Sequence, residues 1–198
     1  HVSGASPFIR ERNELILDFG FYCGLRAHEL TENSQLFDSN LIEQKVKESM
    51  ENSEESMRLM IEGKGSKTRI IIVPPLLLMK IHKYLYRRKK LFQGPLICSC
   101  KGTKLNKQFA SNVFSEAVKN MTYNNRLLFK SKSFHSLRHT FATNLVTYCY
   151  ENGRDPFNVL CDLMGHEDRE TTMKYIEWEA YLNSRVEIIK KLSLEPRL

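Results

Sequence analysis

The residues with the most chemistry to offer lie in the last third of the chain and at two points far upstream. The run SFHSLRHTFATNL carries His135, Arg138 and His139, LMGHEDRETTMKY carries His166 and Tyr175, and Arg26 and Lys64 arrive from the first third. Guanidiniums, an ammonium, imidazoles and a phenol form a set suited to handling a phosphodiester. Arginine's planar fork matches two phosphate oxygens at once, whereas lysine is a point charge that can also deliver a proton when its pKa is depressed. A second chemistry is open to part of the set. His135 and His139 share a helical face at i, i+4 and could bind zinc with Cys161, but the glutamate of an HExxH motif is missing, so no metal is assigned.

Helices must do most of the positioning. Pro7 to Tyr22 sets Leu15, Ile16, Phe19 and Tyr22 at helical spacing, with Pro7 suited to a first turn and Gly24 to a stop. Arg26 follows at a corner between helices, and Glu29 is near enough to hold its fork in one orientation. Residues 43–58 are polar, rich in Glu and Ser and poorly periodic, which fits a solvated loop or a partly helical insertion. From Met57 the pattern alternates, pauses at GKGSK, and resumes from Thr68 to Val73, predicting two strands around a Gly-rich turn. The tip presents Lys64 and Lys67, and Arg69 lies on the return strand, as cations able to reach a phosphate backbone. The spacing is not that of a P-loop.

Pro74 and Pro75 open a helix with Leu77, Leu78, Ile81 and Leu85 on its apolar face and a basic end from Arg87 to Lys90. Cys98 and Cys100 are too close together for a zinc knuckle. Asn106 is placed to cap a helix through Phe109, Val113, Phe114 and Val118, with Lys104 and Lys107 on its N-terminal side. A basic connector, Arg126 to Lys132, leads through Ser133 to the helix of His135, Arg138 and His139, which Leu137, Phe141, Ala142 and Leu145 would bury. The next helix, Pro156 to Met164, is stopped by Gly165, so His166 emerges at a helix end. Thr171 and Thr172 are read as capping a short helix with Tyr175. Trp178 is expected in a core or interface, Tyr181 as a packed aromatic, and Glu179 to Leu192 as a closing amphipathic segment.

The chain's 198 residues, 23.2 kDa and 41% hydrophobic content fit one domain with a sizeable core. Lys+Arg 30 against Asp+Glu 23 leaves +7 and a pI near 9.1, favouring a polyanionic partner such as nucleic acid. No apolar run approaches the roughly 20 residues that cross a bilayer. Scattered cysteines, odd in number, fit a reduced cytoplasmic protein better than a disulfide framework. Residues 1–8 read as a linker or expression remnant, and the chain as part of a longer protein.

Taken in order, GLRAHEL, GKGSKTR with its following Val-Pro, HSLRHTFAT, LMGH and a tyrosine nine residues after that histidine resemble the catalytic domain of the tyrosine recombinases, the phage-integrase family. The resemblance covers about residues 8–182. It implies a mainly α fold with a small antiparallel β-sheet, 9–198 forming the catalytic domain and an amino-terminal DNA-clamping domain lying outside these residues. It also implies roles. Tyr175 would be the nucleophile, Arg26 and Arg138 would hold the non-bridging oxygens, Lys64 would be the general acid, and His135 and His166 would hydrogen-bond the phosphate or move the tyrosine proton. Glu29 would orient Arg26, His139 would be a structural neighbour, and Lys67, Arg69, Lys104, Lys107 and Lys132 would meet DNA. The implied partner is double-stranded DNA at a specific site, engaged as a homo-oligomer, a tetramer, with no cofactor and no membrane. A nucleoid-associated protein of a bacterium or mobile element is expected. A non-cleaving DNA-binding regulator on the same fold and a type IB topoisomerase are the alternatives.

Overall fold

The computed structural model describes residues 2, 6–31, 35–52, 56–62, 68–89, 94–165 and 170–181. The chain divides into two compact units, residues 1–141 and 142–198. In the first, α1 (Pro7–Cys23) starts where the Ser6 hydroxyl accepts the Ile9 N–H and Pro7 takes the first turn. It ends on Gly24, whose left-handed backbone (φ 62°) disfavours any side chain. Leu15, Ile16, Phe19 and Cys23 bury its apolar stripe. A short 3-10 turn, Ala27–Leu30, follows directly.

Of the two readings open for the polar segment, a solvated loop or a partly helical insertion, the helical one holds, since its first part belongs to a regular helix, α2 (Ser39–Glu51). Asp38 caps it by accepting the Asn40 and Leu41 N–H groups, and Ile42 and Val46, one turn apart, bury its inner side. Two apolar anchors suffice where the remaining face is solvated, and surrounding Glu and Ser obscure such a sparse period. Strands β1 (Met57–Glu62) and β2 (Thr68–Val73) pair antiparallel from Met57↔Val73 to Glu62↔Thr68. Met57, Leu59, Ile61, Arg69, Ile71 and Val73 point inward, while Arg58, Met60, Ile70 and Ile72 are exposed. The fold is mainly α with this small antiparallel sheet, as expected; Cys98 and Lys104 add an isolated bridge.

Helix α3 (Pro75–Lys89) buries Leu77, Leu78, Ile81, Tyr84 and Leu85 against the same core. Its basic end is not uniformly solvated, because Arg88 is buried and donates to the Pro95 carbonyl. Arg12, on α1, is likewise buried. It donates to the Cys98 carbonyl, holds Asn13, and lies 4.6 Å over the Phe109 ring. Two buried guanidiniums thus satisfy backbone carbonyls of the connection leading to α4 (Phe109–Lys119). In the basic connector, α5 (Tyr123–Leu128) has no buried residue.

Helix α6 (Phe134–Glu151) crosses from the first unit into the second. Its buried stripe is Phe134, Arg138, Ala142, Val146 and Cys149; Leu137, Phe141 and Leu145, expected to anchor it with Ala142, are only half-buried. An arginine therefore occupies a core position of this helix. The first turn of α6 packs so closely on α1 that a Cβ at Gly20 would lie 2.8 Å from Phe134 Cζ and 3.1 Å from Leu137 Cδ1.

In the second unit, Asp155 caps α7 (Pro156–Met164) and left-handed Gly165 ends it, at the expected bounds. Residues 170–181 form α8. Thr172 lies inside this helix rather than capping it, fully buried with its hydroxyl 3.5 Å from Cys161 Sγ. Glu179 belongs to the same helix and accepts a 2.7 Å hydrogen bond from Thr147. Trp178 is 58% exposed, so of the two expected places it does not take the core, and the exposed Tyr181 ring lies 6.1 Å away. Residues 182–192 of the expected closing segment lie outside the described residues.

Gly20→Val should lower stability by about 1–3 kcal/mol, the usual result of forcing extra methyl groups into a filled contact. Urea denaturation of the variant against wild type measures it.

Candidate active site

The chain turns sharply after Gly24, and three cations and one carboxylate converge at that corner. Glu29, with no solvent exposure, is the shared partner. Its Oε2 accepts the Arg26 backbone N–H at 2.7 Å, and its Oε1 accepts Arg26 Nη1 at 3.0 Å. The backbone bond closes the turn, as the glutamate of a helix-capping box does. From β2, the Arg69 guanidinium spans both carboxylate oxygens, at 2.5 Å to Oε1 and 2.7 Å to Oε2. Burial by itself would raise the Glu29 pKa. The Arg69 hydrogen bonds and charge, the Arg26 N–H and the Arg138 charge overcome it and hold the carboxyl at about 2.

Arg138 approaches from α6 and donates through Nη1 to the Gly24 carbonyl. It is 1% exposed, whereas the Arg26 side chain is 29% exposed. One arginine is therefore sunk into the corner and the other opens outward, both with restricted forks. His135 and His139 stand on the exposed side of α6, their rings meeting edge to face at 4.4 Å. Burial, then the charges of His139, Arg138 and Arg26, lower the His135 pKa; burial, Arg138 and Lys132 lower that of His139. Both imidazoles are thereby biased to the neutral form near neutral pH, able to accept a proton at one nitrogen and donate at the other.

Of the residues singled out by the sequence, Arg26, Glu29, Arg138, His135 and His139 all lie in this first unit, and the expected hold of Glu29 on Arg26 is present. Arg69 is a correction. Expected at the DNA surface, it is 8% exposed because it falls on the inward side of β2, and its fork is engaged by Glu29 rather than turned to solvent. Strand alternation carried the signal: Arg69, Ile71 and Val73 share a parity, and Ile71 and Val73 are core residues. Lys104, Lys107 and Lys132 are exposed. Tyr175 belongs to the second unit, half-buried on α8. Lys64, Lys67 and His166 lie outside the described residues. No cluster of three His, Cys, Asp or Glu residues able to hold a metal occurs among the described residues, and none of the helices among them is long and apolar enough to cross a membrane.

Because Glu29 titrates lower in the folded chain than unfolded, the unfolded state takes up the proton first as pH falls. Its stabilisation is complete above about pH 4.5 and is lost as pH falls through about 2. Glu29→Gln should lack this acid-side slope and be less stable at neutral pH by about 3–5 kcal/mol, since buried Arg69 then faces no countercharge. Denaturation curves collected from pH 2 to 7 read both effects.

The phage integrase family profile matches residues 8–180. A tyrosine recombinase XerC of Pelobacter propionicus is 30% identical over 165 residues, 83% of this chain and 47% of the relative. A tyrosine recombinase XerA of Thermococcus onnurineus is 28% identical over 192 residues, 97% of this chain and 58% of the relative. The chain spans about half the length of the curated relatives it matches. Among solved structures, XerH site-specific recombinase in a post-cleavage complex with a palindromic difH substrate superposes with TM-score 0.69 at 22% identity, covering 98% of this chain and 49% of that one. XerA recombinase gives TM-score 0.62 at 20% identity, covering 95% and 58%. The match over most of the chain's length, with the arginine corner built from residues inside it, shows that the chain belongs to the phage integrase family of tyrosine recombinases.

Proposed function

We propose that this chain is the catalytic part of a site-specific DNA recombinase that cleaves and rejoins strands by transesterification. The observation that carries the reading is the corner at Gly24, where Arg26 and Arg138 are held by a buried carboxylate and a backbone carbonyl. Fixed guanidiniums of this kind suit a phosphoryl group whose non-bridging oxygens gather charge in the transition state. Supporting it, the relatives named above are tyrosine recombinases, and XerH is a site-specific recombinase solved with its palindromic difH substrate.

In the proposed reaction the Tyr175 oxygen attacks a DNA phosphorus, forming a 3′-phosphotyrosyl bond as the bond from phosphorus to the 5′ oxygen breaks. Lys64 supplies the proton that the leaving 5′ oxygen takes. Arg26 and Arg138 bind the non-bridging oxygens. His135 and His166 hydrogen-bond the phosphate or accept the phenol proton, a task for which a neutral His135 is suited. A phenol with an ordinary pKa of about 10 needs such neighbours to act near neutral pH. The covalent link conserves the phosphodiester energy, so attack by a 5′ hydroxyl reverses the step without a metal or nucleotide. Exposed Lys104, Lys107 and Lys132 are assigned to the phosphate backbone. A tetramer on paired sites is the proposed assembly.

The test uses the full-length protein and nicked duplexes carrying each att-like or inverted-repeat sequence that sequencing of the DNA flanking its gene turns up. A denaturant-stable protein–DNA adduct is expected, lost in Tyr175→Phe and formed at least about 100-fold more slowly in Arg138→Lys, which cannot reproduce the fork. DNA binding without any adduct would favour the non-cleaving regulator instead, and an undiminished adduct in Tyr175→Phe would remove the tyrosine from its role.

A further inference from the structure

Arg69 sits on β2, the strand that follows the segment containing Lys64, in register with Ile61. The rest of its face is apolar, and its guanidinium is spent on Glu29 through two hydrogen bonds. A cation serving only as a phosphate contact has no reason to be buried. A carboxylate sunk among core residues does need a countercharge, because desolvation alone favours neutralising it. Glu29 is in turn the group that receives both the backbone and the side chain of Arg26. The chain of contacts therefore runs from β2 to Glu29 to Arg26, with Arg138 acting on Glu29 through its charge.

We propose that Arg69 is a positioning residue for strand cleavage, holding the Glu29 carboxylate charged and in place so that Arg26 presents its fork to the phosphate. The inference rests on the strand-cleavage reading above. By the same linkage the hairpin's return strand is anchored directly to the arginine corner. The role is not contact with DNA, which gives it a distinct experimental signature.

The experiment measures single-turnover adduct formation on saturating nicked duplex in the full-length protein, with DNA affinity measured over a range of salt. Arg69→Met should leave the dissociation constant within about 3-fold and the salt dependence unchanged, because no phosphate contact is lost. Cleavage should slow by about 10- to 100-fold, the scale of a small misplacement of a catalytic group. Arg69→Lys should recover part of the rate, keeping the charge but not the fork. In an Arg26→Ala background Arg69→Met should cause no further loss, since the two changes remove one function.

A wild-type rate in Arg69→Met at matched occupancy, a salt slope reduced by about one, or losses that multiply with Arg26→Ala would each overturn the proposal. If Arg69→Met melts below the assay temperature, Arg69→Lys is put through the same three measurements with the same criteria. Adduct formation by wild type, abolished in Tyr175→Phe, keeps failure of this proposal separate from failure of the cleavage reading. No adduct from wild type overturns both.

Discussion

The corner after α1 depends on a single buried carboxylate. Glu29 is removed from water entirely, and a lone ion there would be far too costly to remain charged. It stays charged because the Arg69 fork and two Arg26 donors share its oxygens. That arrangement fixes three things together: the backbone turn at Arg26, the direction of the Arg26 guanidinium, and the attachment of β2. Buried ion pairs add little net stability compared with apolar packing, yet breaking one is expensive. Their usefulness here lies in geometry, since the two charged hydrogen bonds of Arg69 and the paired backbone and side-chain bonds of Arg26 leave few alternative orientations.

A second constraint is the close approach of α1 and α6. Gly20 lets the first turn of α6 sit against α1, and Gly24 ends α1 so that its carbonyl meets Arg138. Arg138 then occupies a place in the helix stripe that an aliphatic residue would ordinarily take. The local cost of burying it is offset by the carbonyl and by the nearby Glu29 charge. The same device appears away from the corner, where Arg12 and Arg88 satisfy carbonyls of the connection between α3 and α4. Buried arginine in this fold joins irregular backbone to the core as well as shaping a candidate active site.

Regular elements were readable where their signals were local. Pro7 and Gly24 bounded α1, and Pro156 and Gly165 bounded α7, because a first-turn proline and a left-handed glycine act within a few residues; the structure adds the Ser6 and Asp155 caps. The hairpin was legible from its alternation. Helix α2 was left open between loop and partial helix, since only Ile42 and Val46 mark the apolar part of its buried side amid charged and hydroxyl residues. Trp178 left core and interface equally open from its large apolar area, and α8 removes the core choice by turning Thr172 and Glu179 inward in the second unit and leaving the indole exposed.

By itself the sequence determined which chemical groups are present, their order, and the local elements on which most of them ride, because residue type and short-range spacing govern capping, periodicity and functional-group chemistry. It also joined Arg26 to Glu29, which one turn of chain brings within reach. Tertiary structure decided the environment of each charge. Only folding places Arg69 on Glu29, 40 residues away, and Arg138 on the Gly24 carbonyl from the far side of the first unit's sequence. An arginine on a strand is a DNA contact or a buried clamp according to which face meets the core, and desolvation, set by packing across the fold, makes that choice.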